Sequence, residues 1–162
     1  MSDRLVQAHA RRAAEAAATI PRYSVAADCG WRDEAFVLRA TNDALRESDV
    51  NASWRDGARA GYGEVRIAVL LEGPVAPVVG EPWDVGALRA RDPESFTAAE
   101  LAGATFTVVF APEVDSIEPL LVPRQAGVLG VGRSRLTLAC DARAVSVDAA
   151  SAFLSAVAGR SA

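Results

Sequence analysis

Residues 136–154 read LTLACDARAVSVDAASAFL, and two periodicities meet inside that stretch. Leu136, Leu138 and Cys140 alternate, as one apolar face of a strand requires. A final helix is expected to begin near Ser146 to Asp148, with Ser146 as the preferred N-cap and Asp148 as its competitor, and to end at Gly159 as a C′ residue. Working outward, the apolar runs at 104–110, 126–131 and 135–140 read as strands, and so does the short segment Tyr23–Ala27. Glu64–Leu71 begins alternating and turns continuously apolar, as a strand entering a buried sheet does; Glu72-Gly73-Pro74 is a turn, and Val75–Val79 follows it. A first helix is expected over 3–18, stopped by Pro21. A second runs from Asp33 to Ser48-Asp49, where Phe36, Ala40 and Ala44 step by four alongside Val37, Thr41 and Leu45. Residues 80–95, with two glycines and two prolines, read as loop with little helix. No repeat or linker divides the sequence, so residues 1–162 are expected to form one α/β domain.

Composition limits the chemistry. All 17 basic residues are arginine, so no lysine is present for a Schiff base, a phosphate loop or a lipoyl or biotin carrier. The bias fits a GC-rich genome. His9 is the one histidine, and with two cysteines, Cys29 and Cys140, far apart in the sequence, no zinc constellation forms. The formal net charge of −4 with no basic stripe argues against a nucleic-acid partner. No apolar run is long enough to cross a membrane and the start MSDRLVQAHARR lacks a signal-peptide core, so a cytoplasmic place with reduced thiols is expected.

Several blocks, in order, resemble one family. Asn51–Trp54 follows a helix. Leu101–Val108, LAGATFTV, is similar to "L-x-G-G-T-F-T-V", and Pro119–Gly132, PLLVPRQAGVLGVG, to "P-I-I-N-P-P-Q-A-A-I-L-G-V-G". The opening stretch 136–154 resembles "L-T-L-S-x-D-H-R-V-V-D-G-A-x-A-A-x-F-L". These blocks, spread over roughly residues 11–158, resemble the catalytic domain of the dihydrolipoamide acyltransferases, the E2 cores of 2-oxo acid dehydrogenase complexes. The resemblance implies a chloramphenicol acetyltransferase-like fold: a two-layer sandwich of mixed β-sheet and helices, truncated here by a helix near 80–95 and a hairpin near 133–135. It implies a homotrimer with its site in a channel between neighbouring subunits. Lipoyl and peripheral-subunit-binding domains are absent from these residues, and no cofactor or metal is expected.

Acyl transfer from a thioester needs a general base and a donor aimed at the oxyanion. By the resemblance, the base is the histidine of H-x-x-x-D-G and the donor a serine after T-F-T-V. Here the histidine position is Ala142, the aspartate position Ser146, the glycine position Val147 and the serine position Val109. A valine side chain donates no hydrogen bond. Asp141 and Arg143, kept from the D-H-R triplet, are expected to form a fold-stabilising ion pair. Cys140 is expected to be buried and inert, and His9 to be an incidental helix residue. Ligand contacts are expected from Tyr23, Val109, Phe110, Asp115, Ser116, Ala142, Arg143 and Ser146. Glu113 reads as part of an exposed acidic loop. The resemblance would set Arg11 or Arg12 against the motif aspartate, now Ser146, leaving that arginine exposed, re-paired or available to an anion.

Three functions compete. The first is a repurposed scaffold that binds a small hydrophobic metabolite in the channel and promotes its cyclisation, such as a cycloaddition, in bacterial secondary metabolism; relatives occur in polyketide pathways. The second is a non-catalytic pseudoenzyme that binds a partner or assembles a complex. The third, an acyltransferase with relocated residues, comes last. Fold alone does not choose among them.

Overall fold

The computed structural model describes residues 11, 15, 19–30, 33–71 and 75–161. The elements are β1 (Arg22–Asp28), α1 (Glu34–Arg46), β2 (Ala52–Arg55), β3 (Ala58–Gly61), β4 (Ile67–Val69) and β5 (Val78–Val79). There follow α2 (Val85–Arg89), a 3-10 turn (Pro93–Ser95), β6 (Phe106–Ala111), β7 (Gly127–Gly132), β8 (Arg135–Asp141) and α3 (Val147–Ser161). The first-helix expectation lies mostly outside the described residues, as do His9, Arg12 and the turn at 72–74; Arg11 and Glu15 are helical.

Six strands form a mixed sheet in the order β1-β8-β7-β6-β4-β5. β6 runs parallel to β4 and β7, and the other pairs are antiparallel. Alternation divides every central strand between two faces. Phe106 and Val108 of β6, Leu129 and Val131 of β7, and Leu136, Leu138 and Cys140 of β8 join the core shared with both long helices. α1 starts where the Asp33 carboxylate accepts the Ala35 N–H at 2.7 Å, and it buries Val37, Leu38, Thr41, Ala44 and Leu45. α3 buries Ala150, Phe153, Leu154 and Val157, a spacing of three, one and three, and sets Phe153 against Phe106 with ring centres 5.6 Å apart. The expected α1 stripe holds except at Phe36, which is 58% exposed.

Other boundaries differ from the sequence reading. Only Ile67–Val69 of the run 64–71 and only Val78–Val79 of 75–79 are strand. Pro77 lacks the N–H that would carry the ladder back, although its carbonyl still accepts from Val69. The 80–95 segment carries a five-residue helix capped by Asp84, whose carboxylate accepts the Ala87 N–H. α3 continues through Gly159 to Ser161, because Gly159 lacks the left-handed backbone of a C′ residue. β2 and β3 form a hairpin of their own, turned at Asp56 and Gly57 with φ of 52° and 75°.

Over β7 the outer face of the sheet carries a loop. The chain from Asp115 to Leu121 lies along β7, and small residues let it lie flush. A Cβ on Gly130 would sit 2.5 Å from the Ile117 carbonyl oxygen, and one on Gly132 would sit 2.3 Å from that of Asp115. Leu121, Val128 and Ala139 close a small second core there, joined by Ile20, Val109 and Val122. Gly132→Ala should therefore lower stability by about 1–3 kcal/mol, since backbone must move to admit the methyl. Gly80→Ala, with nothing near its Cβ position, should change it by less than about 0.5 kcal/mol, as measured by urea unfolding.

Candidate functional site

The turn from Asp141 to Ser146 follows β8 directly, and several short contacts hold it. Asp141 is 3% exposed. Its carboxylate accepts from the Arg143 backbone N–H at 3.0 Å, from Nε at 3.0 Å and from Nη2 at 2.7 Å. The Arg143 guanidinium lies 5.3 Å from the Trp54 ring centre, so the pair also reaches the β2–β3 hairpin. Asp141 donates its own N–H to Ala126, and Ala142 donates to the Pro21 carbonyl at 2.8 Å. The Tyr23 hydroxyl donates to the Val145 carbonyl at 2.8 Å. Ser146 caps α3, its Oγ accepting the Ala149 N–H at 3.1 Å. The expected N-cap is therefore Ser146, and the expected Asp141–Arg143 pair forms.

Electrostatics at this turn favour fixed protonation states. The hydrogen bond from Arg143 to Asp141 raises the guanidinium above its ordinary range, so it stays charged. Burial pushes the Cys140 thiol up to about 12. Burial, together with the neighbouring Cys140, raises the Tyr23 phenol well above its usual value. Cys140 faces the core opposite Tyr23 in the β1–β8 register. It is a protonated, buried thiol and a poor nucleophile.

Within one chain the expected ligand residues fall into separate groups. Tyr23, Ala142, Arg143 and Ser146 meet at one end of the sheet, beside the β7 residue Gly127 that pairs with Cys140. Asp115 and Ser116 are exposed on the loop over Gly132, at the other end of β7, with Asp115 paired to Arg133. Five residue steps of strand, about 17 Å, separate those ends. Val109 lies between, on the outer face opposite Gly130 and beside the second core. Phe110 is half-buried on the opposite, helix-facing side. Glu113 and Asp148 are exposed.

The sequence reading assigned no role to Trp54, although arginine stacking on an indole is a common way to fix a guanidinium. It also gave none to the buried Thr107–Gln125 pair, 2.7 Å apart. A cleft of about 580 Å³ lies away from the turn, between the end of α1 and β3. Arg46, Asp49, Arg59, Tyr62 and Glu64 line it, and Arg59 and Asp49 pair there. Among the described residues no group of three or more histidine, cysteine or acidic side chains is placed to hold a metal. No helix among them is long and apolar enough to cross a membrane.

No family model and no curated protein matches the sequence. Solved structures do match. A probable dihydrolipoamide acetyltransferase from Listeria monocytogenes aligns with a TM-score of 0.82 at 15% identity, over 99% of this chain and 92% of its own. The dihydrolipoamide acetyltransferase (E2p) of Azotobacter vinelandii, studied for the catalytic roles of a serine, a histidine and an asparagine, aligns at 0.77 and 18% identity, over 96% and 87%. A chloramphenicol acetyltransferase aligns at 0.59 and 13%, over 88% and 86%. The chain has the fold of the dihydrolipoamide acyltransferase catalytic cores and of chloramphenicol acetyltransferase.

Two outcomes follow from the turn. Asp141→Ala removes the acceptor of three N–H donors and should cost about 2–3 kcal/mol in urea unfolding, the lower part of the range because Arg143 keeps some access to water. In the native protein at pH 8, a thiol reagent should modify half-exposed Cys29 well before Cys140. Raising the pH toward 12, if the fold holds, should increase the Cys140 rate, because its thiolate forms only there.

Proposed function

We propose that this protein is a homotrimeric acyltransferase-fold scaffold that has given up acyl transfer and binds a small hydrophobic metabolite in a channel between subunits, promoting its cyclisation. One observation carries the reading: the turn that would present the base is intact, yet it presents a methyl group. Asp141, Arg143, Trp54 and Tyr23 hold the turn, while Ala142 offers no nitrogen and the Ser146 oxygen is occupied as a helix cap. Val109 offers no donor at the position the resemblance assigns to the oxyanion. The A. vinelandii enzyme, by contrast, is studied for a serine, a histidine and an asparagine in its mechanism.

The trimer gains support from the separation of the candidate residues. Asp115 and Ser116 at one end of the sheet cannot meet Ala142 and Ser146 at the other within one chain, whereas neighbouring chains can bring such ends together. A channel walled by Val109, Ala142 and Val147 suits an apolar body. Catalysis there works by holding a flexible chain in a reactive shape, which is where orientation lowers a barrier without a nucleophile. The cytoplasm is the compartment in which such a metabolite would be met.

The test incubates the purified protein with acetyl-CoA and dihydrolipoamide, and separately with linear polyene ketones, following both by liquid chromatography and mass spectrometry. No acetyl transfer above the protein-free rate is expected. A cyclised product should appear at unchanged mass and altered retention time, because a cycloaddition conserves every atom. Acetyl transfer well above background would overturn the reading.

A further inference from the structure

The cleft of about 580 Å³ between the end of α1 and β3 shares no lining residue with the turn at 141–146. Its wall is built on Asn51, which is 6% exposed. The Asn51 carbonyl accepts the Tyr62 N–H at 3.0 Å and its side-chain amide donates to the Glu64 carbonyl at 2.9 Å, so one residue fixes both ends of the Tyr62–Glu64 rim. The amide oxygen, Oδ1, is left buried with no donor among the described residues. Turning the amide over would set that oxygen against the Glu64 carbonyl, so donor and acceptor cannot be exchanged. A buried acceptor without a donor costs roughly 1–3 kcal/mol, which an N–H or O–H brought by a ligand offsets.

The rest of the lining says what kind of molecule would bring that donor. Two guanidiniums, Arg46 and Arg59, stand with two carboxylates, Asp49 and Glu64, so the formal charge of the lining sums to zero. Arg59 donates to the Asp49 carbonyl at 2.8 Å and lies 3.4 Å from its carboxylate, while the side chains of Arg46 and Glu64 have no partner among the described residues. Such a lining has no net attraction for an ion, yet it offers separate donors and acceptors to hydroxyls, which both give and accept. Tyr62 adds an apolar surface. Its hydroxyl donates to the Arg124 carbonyl and Arg55 lies 5.5 Å from its ring centre, which holds the ring between Gly61 and Gly63. A Cβ on Gly63 would meet nothing within 4 Å, so open space adjoins that ring.

We infer that this cleft binds a neutral polyhydroxylated molecule, a sugar, with one hydroxyl donating to Asn51 Oδ1, others meeting Arg46 and Glu64, and a C–H face against the Tyr62 ring. The inference is independent of the function proposed for the turn. A sugar ring carries hydroxyls around its edge and C–H groups on its faces, which matches a lining of planar polar groups beside one aromatic ring. A phosphate there would meet Asp49 and Glu64, and an amine would meet Arg46 and Arg59, so a charge of either sign is opposed. The volume falls within the roughly 300–1,000 Å³ of small-molecule sites.

Two-dimensional amide NMR of the intact, isotope-labelled protein, titrated with glucose, galactose and maltose in the millimolar range, tests it. At least one of the three should shift the Asn51 side-chain amide and the backbone amides of Tyr62, Gly63 and Glu64, and leave those of Ala142 to Ser146 unmoved. Glucosamine and glucuronate, which add a charge of either sign to the same ring, should bind no more tightly than glucose. Gly63→Leu places a side chain in open space, so the urea midpoint should stay unchanged while sugar binding weakens about tenfold or more. No shift with any of the three sugars, tighter binding of either charged one, or binding undiminished in Gly63→Leu would overturn the sugar site.

Discussion

Burying a carboxylate is costly unless its lone pairs are filled, and Asp141 is buried at a point where four chain segments converge. Its oxygens fold Arg143 back onto Trp54, which ties β8 to the β2–β3 hairpin. Its N–H reaches Ala126, at the entry to β7, and its carbonyl accepts from Ala144 and Val145 to close the turn. The next residue, Ala142, reaches Pro21 at the entry to β1. The carboxylate holds Arg143, while the backbone groups of Asp141 and Ala142 join the turn to the entries of β7 and β1.

That role is independent of whatever chemistry the turn presents. The hydrogen bonds that hold the turn run through backbone groups and the side chains of Asp141, Arg143, Tyr23 and Ser146, none through the side chain of residue 142. A methyl group there disturbs no hydrogen bond, and the same backbone path to Ser146 is preserved by capping, a task serine performs as well as the residues it competes with. Scaffold and mechanism are separable at the level of single side chains, so fold likeness at 15–18% identity speaks to the first and is silent on the second.

Much of the fold is legible in the sequence where one face of an element is apolar and the other is not. Leu136, Leu138 and Cys140 mark β8, and Val37, Thr41 and Leu45 mark α1, because burial on one side imposes the period directly. The β2–β3 hairpin was hidden although Asp56-Gly57 is a strong hairpin turn, since Ser53 to Gly61 carries arginines and alanines rather than alternating apolar residues. Gly159 read as a stop, but a stop needs left-handed backbone, and tertiary packing of Val157 keeps the helix going. The site was legible residue by residue and illegible as an arrangement. Which end of β7 a loop crosses depends on Gly130 and Gly132 admitting the backbone of Asp115 and Ile117, a contact no local pattern encodes.

On the proposed reading, Val109 and Ala142 belong together. Val109 is half-buried beside Leu121 and Val128 of the second core. A hydroxyl at that position stabilises a transition state only when negative charge develops against it. In every other state it is a polar group beside apolar side chains, and an unmet donor there costs roughly 1–3 kcal/mol. On that reading, a site with Ala142 at the base position forms no oxyanion, so a hydroxyl at 109 would keep its cost and have no use. Valine removes that cost and adds apolar contact to the second core. Ala142 and Val109 are therefore, on the same proposed reading, coupled physically, an apolar side chain at each replacing a polar reaction centre by a wall.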